Sequence, residues 1–231
     1  MFLELFLKIQ AKEFLIKLID LIIIFSVYTV TKTAVSDYRV KGSEFLGYLY
    51  PCIDMQNADN LLQKIRSEHH TATHHCYAYA LNPHNKTEFS SDDGEPGGTA
   101  GLPIQNILRS YDLINVMLIV VRYYGGTKLG KAGLIDAYNH SAELTAETAV
   151  LKKVLPVKTF KIIYDYPQQG TIDKLKNDFT LFELDASYLQ HVELNIGVPV
   201  SESGIFESKL ISLAHLFDEV EETGKGYHIV E

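Results

Sequence analysis

One stretch constrains the fold more than any other: Asn115-Val116-Met117-Leu118-Ile119-Val120-Val121-Arg122-Tyr123, a nearly unbroken apolar run of strand length. A half-buried strand alternates apolar and polar residues, whereas a run of this kind marks a strand buried on both faces. It enters a glycine-rich turn at Gly125-Gly126, after which residues 134–153 carry the longest helical pattern in the chain.

Around this strand the chain alternates between strand-like and helix-like patterns. Residues 27–33 and 43–52 are rich in β-branched and aromatic residues and are predicted strands, with Pro51 helping to end the second. Residues 54–69 place Ala58, Leu61, Leu62 and Ile65 at helical spacing. Residues 75–81 alternate as a strand up to the turn signal Asn82-Pro83, and residues 88–91 read as a short partner. Pro103 suits the first turn of a helix reaching Ser110. Pro156 marks the expected domain boundary. Beyond it, residues 158–166, 171–179, 182–189, 192–200, 201–213 and 226–230 read as β, α, β, β, α and β, the split ferredoxin-like order. The acidic run at residues 218–222 reads as solvated surface. The expected fold class is α/β (α+β), with domains at residues 27–155 and 156–231.

A chain of 231 residues can bury a core in each of two such domains, and 46% hydrophobic with 22% charged residues excludes wholesale disorder. The formal net charge of −8 argues against attachment to nucleic acid by bulk electrostatics, while leaving room for a local basic patch. Cys52 and Cys76 have no CxxC spacing and cannot staple a secreted domain, so both are expected to act as small apolar residues in a reducing cytoplasm. Residues 1–26 form an apolar extension, but Lys17 and Asp20 interrupt it. The uncharged stretch at residues 21–31 is far short of the ~20 residues a bilayer needs, so no stable membrane insertion is expected. An amphipathic helix and a mis-assigned start both remain open for this segment; the second is favoured, because recognisable domain sequence begins near Val27.

Three stretches could carry chemistry. The first, Asp92-Asp93-Gly94-Glu95-Pro96-Gly97-Gly98-Thr99-Ala100-Gly101, sets three carboxylates within four residues, which an ordered fold must meet with donors, a cation or solvent. It could hold a metal, act in acid–base chemistry, or cap the helix near Pro103. The second, Arg122-Tyr123-Tyr124-Gly125-Gly126-Thr127-Lys128-Leu129-Gly130-Lys131-Ala132, leads a buried strand through glycines into a helix, an arrangement that presents N–H groups to an anion. Gly125 to Lys131 satisfies GxxxxGK, but Ala132 stands where a P-loop needs Ser or Thr for magnesium, so nucleotide hydrolysis is disfavoured. Arg122, Lys128 and Lys131 add positive charge, and Tyr123 and Tyr124 offer stacking faces. The bland reading packs the tyrosines in the core and uses the glycines for a tight crossing. The third, His69-His70-Thr71-Ala72-Thr73-His74-His75, could place His70 and His74 on one helix face for zinc, but the threonines suggest that the helix is ending. No metal ligand set and no cofactor is assigned.

Taken together, the motifs Lys41-Gly42-Ser43-x-Phe45, His70-x-Ala72-Thr73-His74, Asp92-Asp93-Gly94-Glu95-Pro96-x-Gly98-Thr99-Ala100-Gly101-x-Pro103 and Arg122-Tyr123-Tyr124-Gly125-Gly126-x-Lys128-Leu129-Gly130 resemble the IMPACT (YigZ-like) family, in the family's order. The resemblance runs from about Val27 to the C-terminus. It implies an N-terminal domain like the second domain of a ribosomal small-subunit protein, a mixed sheet with helices, and a C-terminal domain like the last domain of elongation factor G. It also implies a regulator associated with translation, with RNA, the ribosome or a protein partner as ligand. The expected binding surface comprises His70, His74, Asp92, Asp93, Glu95, Thr99, Arg122, Tyr123, Gly125, Gly126, Lys128 and Gly130. Two departures stand out: Asp136 occupies a position where the family pattern has arginine, and Gly97 replaces a usual serine. The alternative is a hydrolase using a metal or the clustered acids and histidines.

Overall fold

The structure is a computed structural model that describes residues 27–83 and 85–230. The expectations for residues 1–26 lie outside the described residues. No helix among the described residues is long and apolar enough to cross a membrane.

Two antiparallel sheets organise the chain. The first runs β2-β3-β6-β4-β5, built from β2 (Ala34–Val40), β3 (Ser43–Pro51), β4 (His74–Leu81), β5 (Thr87–Ser91) and β6 (Val116–Tyr123). The apolar run is its central strand, β6, paired with β3 on one side and β4 on the other. Val116, Leu118 and Val120 face one core, while Met117, Ile119 and Val121 face a second on the opposite side of the sheet. Helix α1 (Met55–Glu68) covers the second core through Ala58, Leu62 and Ile65. Helices α2 (Gly101–Ser110) and α3 (Gly130–Thr148) cover the first through Ile104, Leu108, Leu134 and Tyr138. Burial on both faces therefore follows from helices on both sides of an antiparallel sheet.

The second sheet contains β7 (Leu151–Tyr164), β8 (Phe182–Tyr188), β9 (Val192–Pro199) and β10 (Glu219–Ile229), with α4 (Gln169–Asp178) and α5 (Val200–Leu213) on one face. The spatial order β10-β7-β9-β8, with connection order βαββαβ, is that of a ferredoxin-like fold. Phe160, Ile162, Leu194, Ile196, Phe206 and Leu210 form its core. A short strand, β1 (Val27–Val30), pairs with the start of β7 and also bonds to residues 112–114 at the entrance to β6.

Four features differ from the sequence expectation, each for a reason that lies in pairing. Strand β2 reads as polar sequence, yet the two-residue turn Lys41-Gly42, with φ of 48° and 80°, folds it back on β3 as a hairpin. The helix expected to reach residue 153 stops at Thr148, because residues 151–154 pair with β1 and Val154 enters the core. Strand β7 thus passes through Pro156, which sits in the stretch left uncovered between β1 and β9, the kind of position to which proline is confined in sheets. The acidic run at residues 219–222 is not merely solvated: it is the first part of β10, where Glu219 and Glu221 pair with Lys161 and Glu222 with Lys158.

Candidate functional site

The four motifs that carry the family resemblance converge at one end of the first sheet. In the hairpin turn, Gly42 lies against Gly125 so closely that a Cβ on Gly125 would fall 1.9 Å from the Gly42 carbonyl carbon. Ser43 Oγ accepts hydrogen bonds from the Gly125 N–H (3.2 Å) and from Arg122 Nη2 (3.5 Å). Thr73 Oγ1 accepts from the Tyr124 N–H, and the Thr73 N–H donates to the Arg122 carbonyl. Turn, histidine segment and glycine loop are thereby sewn together through main-chain groups.

The acidic loop is tied into the same region, but its three carboxylates turn to different partners. Asp92 accepts from the N–H groups of Gly98, Ala100 and Gly101 at 2.8–2.9 Å, which caps the start of α2. Burial alone would raise its pKa; donation from Gly98, Gly101, Ala100 and Thr99 outweighs this and holds the carboxyl below its usual range. Asp93 accepts from Arg66 (2.6 Å) and from the His75 N–H (2.7 Å). Glu95 accepts from Arg122 Nη1 (2.5 Å) and from the Tyr138 hydroxyl (2.8 Å), with His74 Nε2 at 3.9 Å. Both members of the Glu95–Arg122 pair are more than nine-tenths buried. The Arg122 guanidinium also lies over the rings of Phe45 and Tyr124.

The remaining expected residues divide into inner and outer sets. His74 is half-buried, with Nδ1 2.8 Å from the Asp93 carbonyl oxygen. Thr99 is buried and donates to the Pro96 carbonyl. Tyr123 points to the α1 side, where its hydroxyl meets His69 Nδ1 (2.9 Å), while Tyr48 holds the other ring nitrogen of His69. His70, Gly125, Gly126, Lys128 and Gly130 are exposed, as are Lys41, Tyr124 and Lys131. The exposed aromatic face is thus that of Tyr124, because alternation along the strand turns Tyr123 the other way. Helix α3 begins without a side-chain cap among the described residues, with exposed Lys128 just before it and exposed Lys131 in its first turn; Asp136 is exposed further along the same helix.

Sequence reasoning missed Ser43, Arg66 and Tyr138 as partners of these residues. Tyr138 carried a signal: it stands four residues after Leu134, on the helix face that packs inward. Cys76 lies within the same cluster, its thiol directed to the Asp92 carbonyl and the Tyr138 hydroxyl, and burial pushes its pKa upward. Burial also raises the Cys52 thiol, to about 11.

Chemically, the interior of this region is a polar network in which two guanidinium groups and main-chain N–H groups hold three carboxylates, and its exterior carries lysines and an aromatic face. The sequence that builds it is shared. Residues 41–146 match the Impact N-terminal domain. The IMPACT family member YvyE of Bacillus subtilis is 30% identical over 198 residues, covering 85% of this chain and 91% of its own length. An IMPACT family member of Haemophilus influenzae is 32% identical over 186 residues, covering 79% of this chain and 90% of its own. A crystal structure described as that of a hypothetical protein superposes with a TM-score of 0.59 at 25% identity, covering 89% of this chain and 98% of that one. With the relatives spanned almost end to end and the motifs packed against one another, the chain belongs to the IMPACT family.

Proposed function

We propose that this protein is a cytoplasmic, translation-associated regulator that contacts RNA or the ribosome through the surface formed by Tyr124, Lys128, Lys131 and the start of α3. In this reading residues 27–155 form the recognition domain and residues 156–231 a second, ferredoxin-like domain. Family membership supports the association with translation. The observation that carries the binding surface is the sorting of charge: the three carboxylates of the acidic loop are engaged by internal donors, whereas Lys128 and Lys131 are exposed beside uncapped helix N–H groups. The net charge of −8 then means that contact depends on this local field and weakens steeply with salt.

Co-sedimentation with ribosomes and filter binding to structured RNA at low salt test the reading. Binding by the wild type that is weakened in Lys128→Glu/Lys131→Glu supports it. Absence of binding in both assays at low salt removes the nucleic-acid reading and leaves a protein partner in translation control, which a pull-down with and without the same substitutions would detect. The hydrolase alternative requires a carboxylate free to ligate a metal or activate water; Asp92, Asp93 and Glu95 are each held by internal donors, which argues against it.

A further inference from the structure

At one end of the ferredoxin-like sheet, three adjacent strands bring a histidine and two aspartates to a single point. Asp165 follows the last residue of β7, His191 precedes the first residue of β9, and Asp218 precedes the first residue of β10. Tyr164 pairs with Val192, and Ile163 pairs with Glu219, so the register of β10-β7-β9 brings all three residues to the same end of the sheet. Asp165 retains extended backbone, with φ −77° and ψ 147°, and the Asp218 N–H still donates to the Ile163 carbonyl. Pairing of three strands, rather than a free loop, therefore holds the cluster.

The atoms that meet are His191 Nδ1, Asp165 Oδ1 at 2.9 Å and Asp218 Oδ2 at 3.2 Å, and one atom from each side chain lies within 4.8 Å of the others. Two carboxylates converge on one ring nitrogen, yet an imidazole carries at most one proton there and can aim it at only one of them. A tetrahedral ion bonded at about 2.0–2.2 Å to each of three such ligands would set neighbouring ligand atoms about 3.3–3.6 Å apart, a few tenths of an ångström beyond the two histidine–carboxylate separations. It would also offset the repulsion between the two carboxylates. One imidazole with two carboxylates is a donor set for a borderline divalent ion such as Zn2+. All three side chains are about half exposed, so further coordination positions are open to water or to an external ligand.

We propose that Asp165, His191 and Asp218 form a solvent-accessible Zn2+-binding site in the second domain, independent of the surface on the first.

Calorimetric titration of the full-length chain with ZnCl2 tests this, with Co2+ absorption as a second reading of coordination. The expected result is one saturable site per chain. His191→Ala, and separately Asp165→Asn/Asp218→Asn, should weaken it by more than the roughly 10–100-fold cost of losing an outer-shell partner. His215→Ala, at another exposed histidine of the same domain, should leave the affinity unchanged. Far-UV circular dichroism confirms that each variant remains folded, as exposure of the substituted side chains leads one to expect. No saturable binding, binding that survives His191→Ala, or equal loss in His215→Ala would each overturn the assignment.

Discussion

Glu95 and Arg122, 27 positions apart, form an ion pair at 2.5 Å in which the side chains are only 4% and 6% exposed. The pair joins the acidic loop to the end of the central strand, and the Tyr138 hydroxyl shares the same carboxylate oxygen. Removing one partner leaves the other charge buried without compensation. Glu95→Ala or Arg122→Ala should each cost about 3–5 kcal/mol in urea unfolding. The pair Glu95→Gln/Arg122→Met should cost less than the sum of its single substitutions, because no lone charge remains. A double-variant cost equal to the sum of the two single costs would show that the two residues act separately.

Asp92 gives a pH signature. Its folded-state pKa lies below the unfolded value, so its contribution is present above the unfolded carboxylate range and disappears as pH falls through the folded pKa. Asp92→Ala should therefore lower stability near neutrality by about 1–2 kcal/mol, the scale of a lost cap. Its stability should also decline less steeply than that of the wild type between roughly pH 5 and pH 2. Parallel acid-unfolding curves for the two proteins would contradict the capping role.

The two glycines of the loop should respond differently to alanine. At Gly125 a Cβ would meet the Gly42 main chain at 1.9 Å, and neither segment can move without breaking the bonds through Ser43. At Gly126 the space is open, and the cost comes only from a φ of 84°. Gly126→Ala should lose about 1 kcal/mol. Gly125→Ala should lose several times as much, measured by chemical denaturation.

The two cysteines should be silent towards a thiol reagent such as 5,5′-dithiobis(2-nitrobenzoate) in the native state at pH 8 and react only after denaturation. Both are fully buried, and burial raises both thiols. Rapid labelling of Cys76 in the folded protein would mean that the Asp92 region opens readily.

Charge reversal at the exposed lysines should act on binding without acting on stability. Lys128→Glu/Lys131→Glu removes no buried contact, so its unfolding midpoint should stay within about 0.5 kcal/mol of wild type in free-energy terms. Any RNA binding should fall, and the slope of affinity against salt should flatten as phosphate contacts are lost. A variant that binds as tightly as wild type would place the contact elsewhere.

Much of the architecture could be read from residue patterns because those patterns record burial. The run ending at Tyr123 lacks alternation, and β6 is buried on both faces. The order of elements after residue 156 gave the ferredoxin-like connection, and the observed strand order agrees with it. Patterns failed where pairing decides. Ser36, Asp37 and Arg39 obscure β2 at the sheet edge, and four acidic or polar residues obscure the start of β10, whose glutamates are satisfied by lysines more than fifty positions away.

For the site, the split is similar. The motif strings identify the family because residue types at fixed spacing are a property of the chain itself. Which way each side chain points is not. Strand alternation turns Tyr123 towards His69 and leaves Tyr124 outside, a distinction that depends on which face α1 covers. Three neighbouring carboxylates looked like one acidic site, yet helix α2, Arg66 and the Arg122–Tyr138 pair each claim one of them.

The sequence by itself determined the secondary structure of the interior, the ferredoxin-like order of the second domain and membership of the family, because local periodicity and motif spacing are carried along the chain. Only the tertiary structure decided that the acidic loop is consumed internally, that Lys128, Lys131 and Tyr124 face outward while Tyr123 does not, and that Asp165, His191 and Asp218 meet. Each of these depends on contacts between segments far apart in sequence, where the cost of burying an unpaired charge selects partners that no local pattern encodes.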